Sequence, residues 1–110
     1  MKRVLITTMF AVAAAGSISV IFAGGVDAAP STGEALFKQH CAVCHVDGGN
    51  LIAPQKTLHK RDREANNIKT SEAIIKTMRN PGPGMTQFNE KTIPEKDAIA
   101  IAEYILKTFK

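Results

Sequence analysis

"HCAVCHVDGG", residues 40–49, sets two cysteines three positions apart with a histidine directly after the second, and the 110-residue chain has no other cysteine. At the end of a helix, positions 41 and 44 lie one turn apart, so both sulfurs project to one side. Four chemistries compete for this cluster. A disulfide across so short a loop removes little chain entropy and leaves His45 without a role. A thioredoxin-like redox pair belongs beside a strand in a βαβ setting, and no such setting is legible here. Zinc would draw on Cys41, Cys44, His45 and the distant His59, but adjacent residues 44 and 45 seldom reach one small ion together. The fourth chemistry, covalent haem attachment through C-x-x-C-H, uses all three residues: two thiols add to two vinyl groups, and the next residue sets an imidazole under the iron.

The chain's N-terminal stretch fits that chemistry. Met1, Lys2 and Arg3 form a positive n-region, Val4 to Ala23 carries no charged residue, and "GGVDAAP" supplies small residues at Val26 and Ala28. This pattern predicts a signal peptide over residues 1–28, cut after Ala28, and a periplasmic or otherwise exported domain over 29–110. The competing reading is an uncleaved anchor, since about 20 apolar residues can span a bilayer. Gly16, Ser17 and Ser19 dilute the run. Only in the anchored case does the protein meet a membrane.

Of 14 Lys and Arg and 10 Asp and Glu, Lys2, Arg3 and Asp27 precede residue 29, which leaves 12 against 9. That excess is mild, and "HKRDREANN" at 59–67 interleaves both signs, so it reads as a solvated loop rather than a stripe tracking phosphates. Nucleic acid is not an expected partner. A domain this small has a thin apolar inventory, with Phe37, Phe88, Tyr104 and Phe109 as its aromatics beyond residue 30. A bound group would add to its core.

Helical patterns dominate, and no stretch alternates with period two for long enough to suggest a sheet. A first helix is expected from Ser31, with Glu34 as in a capping box, to the cysteines. Its Gly33 weakens the first turn unless another helix comes close there. Residues 46–69 hold Gly48, Gly49, Asn50, Pro54, Asn66 and Asn67 and read as loop, with one short helical turn near Lys60. So long a loop suits wrapping of a large flat ligand. Thr70 caps a helix from Ser71 to about Arg79, ended by Pro81 and Pro83. Pro94 opens a last helix to about Thr108, with Ala98, Ile101, Tyr104 and Ile105 facing inward.

Haem iron takes two axial ligands, and the candidates opposite His45 are Met78, Met85, His40 and His59. His40 directly precedes Cys41 and is too close in the chain to curl round the ring. Met78 falls on the apolar face of its helix, where methionine fills core. Met85 follows the rigid turn "NPGPGM" with no helical face to account for it, which makes it the expected ligand in a Met/His pair, with His59 as the rival.

On "CAVCH" at 41–45, "GGNLIAPQKTL" at 48–58 and the Met-x-x-Phe of Met85 and Phe88, the chain resembles the small single-haem class I cytochromes c, nearest to the c553 or c6 type. The resemblance runs from Gly33 to Phe109. It implies an all-α class I cytochrome c fold, three to four helices around one covalent haem c, with Gly33 and Phe37 meeting Tyr104 where first and last helices cross. It also implies that the Pro54 carbonyl accepts a hydrogen bond from the His45 ring. Two features depart from the family: Thr86 stands where a proline often follows the methionine, and there is no tryptophan and one tyrosine to bond a haem propionate. Arg79, Lys56 and Gln55 remain as propionate partners, and spacing does not choose among them.

The expected function is a monomeric electron carrier rather than an enzyme. Its redox protein partners would be acidic ones, steered by Lys56, Lys60 and Lys91. Burial of the ring is expected from Leu36, Ile52, Leu58, Ile74, Ile75 and Phe88. The alternative is a haem-based sensor or peroxidase-like protein whose sixth ligand is displaceable.

Overall fold

A computed structural model describes residues 32–110; the expected leader over residues 1–28, with its cut after Ala28, lies outside the described residues, as does Ser31. Four α-helices follow one another: α1 (Gly33–His40), α2 (Lys60–Ala65), α3 (Ser71–Arg79) and α4 (Glu95–Thr108), with a 3-10 turn at Val46–Gly48. The described residues contain no strand.

The helix starts follow from local side-chain chemistry. The Thr32 hydroxyl accepts from the Ala35 N–H at 3.2 Å, so the cap of α1 lies one residue beyond the expected Ser31. Glu34 pairs with Lys38 along the helix instead of closing a capping box. Thr70 caps α3 as expected, accepting from Ala73 N–H at 3.2 Å. Pro94 is the cap of α4 rather than its first helical residue: its extended ψ of 156° turns its carbonyl toward the N–H groups of Asp97 and Ala98.

Helix α4 is the central element. Ala98, Ile101, Ala102 and Ile105 are buried along one face, while α1 packs on it through Leu36 and Phe37 and α3 through Ile74 and Met78. Each Leu, Ile, Met or Phe among them contributes about 1.5–3 kcal/mol on full burial. Phe37 packs at a tilt against Tyr104 and Phe109 with ring centroids 5.3 and 5.4 Å apart. The close crossing expected at Gly33 is present: a Cβ there would overlap the Ala100 carbonyl of α4. Ile93, which carries no sequence signal of its own, is fully buried at the entry to α4.

Segment 46–69 is more ordered than a plain loop. Asn50 Oδ1 accepts from the N–H groups of Ile52 and Ala53 at 3.0 and 2.8 Å, and its Nδ2 donates to the Lys56 carbonyl at 2.9 Å. These bonds fold the segment into a self-supported turn. The expected helical turn near Lys60 is α2. It does not present all its charges to water: Arg63 is buried, which corrects the reading of 59–67 as solvated throughout.

Candidate cofactor site

Helix α1 delivers the cysteines. Its last carbonyls continue to accept beyond His40, with Phe37 O taking the N–H groups of Cys41 and Ala42, and Cys41 O taking those of Cys44 and His45. The result is a tight turn, not a helix, that holds residues 41–45 together. Cys41 is buried and Cys44 half-buried, and both are free thiols. Loss of water around Cys41 pushes its thiol from its ordinary 9.0 up to about 11, so it stays protonated at neutral pH.

His45 is oriented by the backbone. Its Nδ1 lies 2.7 Å from the Gly49 carbonyl oxygen. A carbonyl only accepts, so Nδ1 carries the proton and the neutral ring keeps its lone pair on Nε2, free for a metal. The expected acceptor, Pro54, is not the one used. The turn at Val46–Gly48, with Asp47 and Gly48 at positive φ, curls the chain so that Gly49 meets the ring. Pro54 sits in the following turn, exposed, beside a separate surface depression that it lines with His59 and Lys60.

A cavity of about 410 Å³ lies between the cysteine turn, α2, α3 and the loop after α3, and Cys41, Cys44, His45 and Met85 all line it. Its size falls in the range of about 300–1,000 Å³ usual for cofactor sites. Of the six side chains expected to bury a ring there, Ile52, Leu58 and Ile74 line the cavity. Leu36, Ile75 and Phe88 pack in or against the helical core instead. Ile68, which carries no signal in the sequence, and Ile105, expected on the inward face of the last helix, add to the apolar wall.

Among the ligand candidates opposite His45, both Met78 and Met85 reach the cavity, but they differ in setting. Met78 is 3% exposed within the core cluster. Met85 is half-buried on a loop whose N–H bonds Gly82 O at 3.4 Å, next to Gly84, whose φ of 90° only glycine adopts freely. His59 points its ring edge at Phe109, 5.8 Å between centroids, and His40 meets Phe88 at 6.2 Å. Neither lines the cavity. The zinc reading therefore fails geometrically, since His59 is turned away from the cysteine turn. Two free thiols, an imidazole with an open nitrogen and a thioether around one largely apolar space match the donors that a porphyrin with two thioether links and two axial ligands requires.

Arg79, a candidate propionate partner, is committed elsewhere. Its Nη1 donates to Phe88 O and Ile93 O at 3.1 and 2.9 Å, and its Nη2 pairs with Glu95 at 3.1 Å. It thereby straps the Met85 loop to the start of α4, and Gln87 adds a bond to the Arg79 carbonyl at 2.8 Å. Lys56 lines the cavity, Gln55 does not, and Arg63, absent from the expected set, does. No spacing rule identifies Arg63, because its neighbours Arg61 and Lys60 are of the same type and stay exposed.

A family model described as cytochrome C oxidase, cbb3-type, subunit III, matches residues 28–105. The chain is similar to cytochrome c6 of Pyropia yezoensis, 34% identical over 105 residues that make up 96% of this chain and 91% of the relative. It is likewise similar to cytochrome c6 of Cyanidium caldarium, 39% identical over 74 residues, 67% of this chain and 66% of that one. Among solved structures, outer membrane cytochrome F (OmcF) of Geobacter sulfurreducens superposes with a TM-score of 0.69 at 49% identity, covering 71% of this chain and 99% of that one.

Proposed function

Since the chain belongs to the small class I cytochromes c of the c6/c553 type, which carry a covalently attached haem c, we propose that it is an exported one-electron carrier whose iron is held by His45 and Met85. The observation that carries the reading is the convergence of Cys41, Cys44, His45 and Met85 on one cavity. The haem supplies an iron that cycles between ferric and ferrous states.

In this reading the chain's own residues have separate tasks. Cys41 and Cys44 would fasten the group, each thiol adding across one vinyl so that a C–S bond forms and the thiol proton ends on carbon. The Gly49 carbonyl holds the His45 proton on Nδ1, which would leave Nε2 free to hold the iron. The Arg79 strap, by holding the Phe88 and Ile93 carbonyls, would steady the loop that carries Met85 as a second ligand. If His45 and Met85 both hold the iron, no position on it would be left for a substrate, which would favour electron transfer over catalysis. Leu58 and Ile74 on the cavity wall would keep water from the iron and favour the less charged ferrous form.

Partner binding is assigned to the cavity mouth. Ile52, which lines the cavity, is 61% exposed, Leu51 beside it in sequence is 67% exposed, and Lys56, also on the cavity, and Lys60 are exposed. Apolar contact with a positive rim suits an acidic redox protein. An association rate that falls as salt rises supports this steering, and a rate indifferent to salt removes it. Residues 1–28 are proposed to direct export and to be removed after Ala28, leaving a domain over 29–110; the mass of the mature protein tests the cut.

The function is tested by haem staining after denaturing electrophoresis. A stained band at the size of the mature chain is expected, and its loss in a Cys41→Ala, Cys44→Ala double variant ties the link to these thiols. An unstained parent protein contradicts the reading.

A further inference from the structure

Arg63 is 4% exposed, yet it stands on a wall of the cavity. Its Nε donates to Leu58 O at 2.6 Å, Nη1 to Ile68 O at 3.4 Å and Nη2 to Phe109 O at 3.3 Å. Three carbonyl dipoles thus hold the guanidinium, and no carboxylate pairs with it among the described residues. Carbonyls satisfy hydrogen bonds but leave a full positive charge in place, and a guanidinium does not escape burial by losing its proton. The other charges on this cavity are weaker claimants. Asp62 also lines it, but its carboxylate accepts from the Thr57 hydroxyl at 2.6 Å and from Arg61 at 3.0 Å, which offsets part of its charge, and Lys56 is exposed to water.

A chain of this kind gains nothing in packing from an unneutralised cation that an apolar residue could not provide. We propose that Arg63 supplies a fixed positive charge on the haem cavity wall, favouring the ferrous over the ferric iron and so holding the midpoint potential up. Taking up one electron lowers the charge of the iron centre by one, and a fixed cation in a low-dielectric wall stabilises the state with less positive charge. Arg63 acts on the iron through space and is a positioning residue in the electrostatic sense, not a ligand. The inference rests on this cavity being the haem site.

The test is a mediator-poised redox titration of the haem-loaded parent, Arg63→Gln and Arg63→Lys proteins, followed by their visible spectra, with urea unfolding of each alongside. Gln keeps a donor for the carbonyls and drops the charge, whereas Lys keeps the charge and loses the fork. At the parent's midpoint, the ferrous-to-ferric ratio of Arg63→Gln is expected to fall roughly three- to tenfold, tenfold being 59 mV for one electron. Arg63→Lys is expected to stay within about twofold of the parent, whatever its stability. A parent-like potential in Arg63→Gln, or equal shifts in both variants, overturns the proposal and leaves a structural staple. Should Arg63→Gln fail to take up haem, Arg63→Met, an apolar side chain of similar length at the same buried position, makes the same comparison: a lowered ratio supports the proposal and an unmoved one overturns it. A parent protein without covalent haem defeats the cofactor site itself, whereas a normal spectrum with an unmoved potential defeats only the role of Arg63.

Discussion

Gly33 of α1 lies directly on the Ala100 carbonyl of α4, so close that a single methyl at position 33 has no room against that backbone and would come within 3.0 Å of Tyr104 Cβ as well. The obstacle is main chain, which cannot swing aside like a side-chain tip. Gly33→Ala would ordinarily gain helix propensity of about 0.5–1 kcal/mol. Here overpacking dominates, and a net loss of about 1–3 kcal/mol is expected in urea unfolding of the holo protein. Ala100 is the partner at this crossing, so Gln39→Ala, on the exposed side of α1, should leave the urea midpoint nearly unchanged.

Asn50 organises the loop between His45 and α2 with three hydrogen bonds from one side chain. Asn50→Ala should lower stability by about 1–3 kcal/mol, since the backbone groups it serves are left to water or to nothing. Amide hydrogen exchange at Ala53 should quicken more than exchange in α4. Equal protection in parent and variant would show that the loop holds itself without Asn50.

How much of this was legible beforehand differs residue by residue. The cysteine pair with His45 was readable because only one chemistry uses all three side chains at that spacing, and Gly33 because a glycine early in a helix asks for a close neighbour. Helix α3 was readable from Thr70 and the apolar spacing of Ile74 and Met78. Backbone acceptors were not: the carbonyl of Gly49 leaves no mark in residue type, so the family resemblance pointed to Pro54 and the geometry chose otherwise. Arg63 was hidden among like neighbours, since interleaved charges say which segment is polar but not which side chain turns inward. The strap made by Arg79 bridges positions 9 and 14 residues apart and has no local signature.

In the apo chain, Cys41 makes stability depend on pH. Its thiol sits at about 11 in the folded state against 9.0 ordinarily, through loss of water around it. A raised value means the folded chain holds the proton more tightly, so the associated stability is whole below pH 9 and is lost as pH climbs toward 11. The loss should be on the order of 2 kcal/mol. Urea unfolding of apo parent and apo Cys41→Ala between pH 8 and 11 checks it: the parent should lose stability relative to the variant as pH rises, and parallel curves would place Cys41 in water.

Arg79→Ala should loosen the Met85 loop without touching the covalent links, because it removes two bonds to Phe88 O and Ile93 O and the pair with Glu95. The reduced parent is expected to resist carbon monoxide at neutral pH, and the variant to bind it measurably. A variant as resistant as the parent would show that the strap does not control the sixth position. Ready binding by the parent itself would favour a sensor or peroxidase-like protein.

The visible spectrum of the ferric Met85→Ala protein probes the proposed iron centre most directly, with Met78→Leu as the companion change at the other thioether of the cavity. If the sulfur at position 85 closes the iron opposite His45, the first substitution alters that spectrum and the second leaves it as in the parent. An unaltered spectrum in Met85→Ala would contradict the carrier account, since the iron would then be closed by some other group.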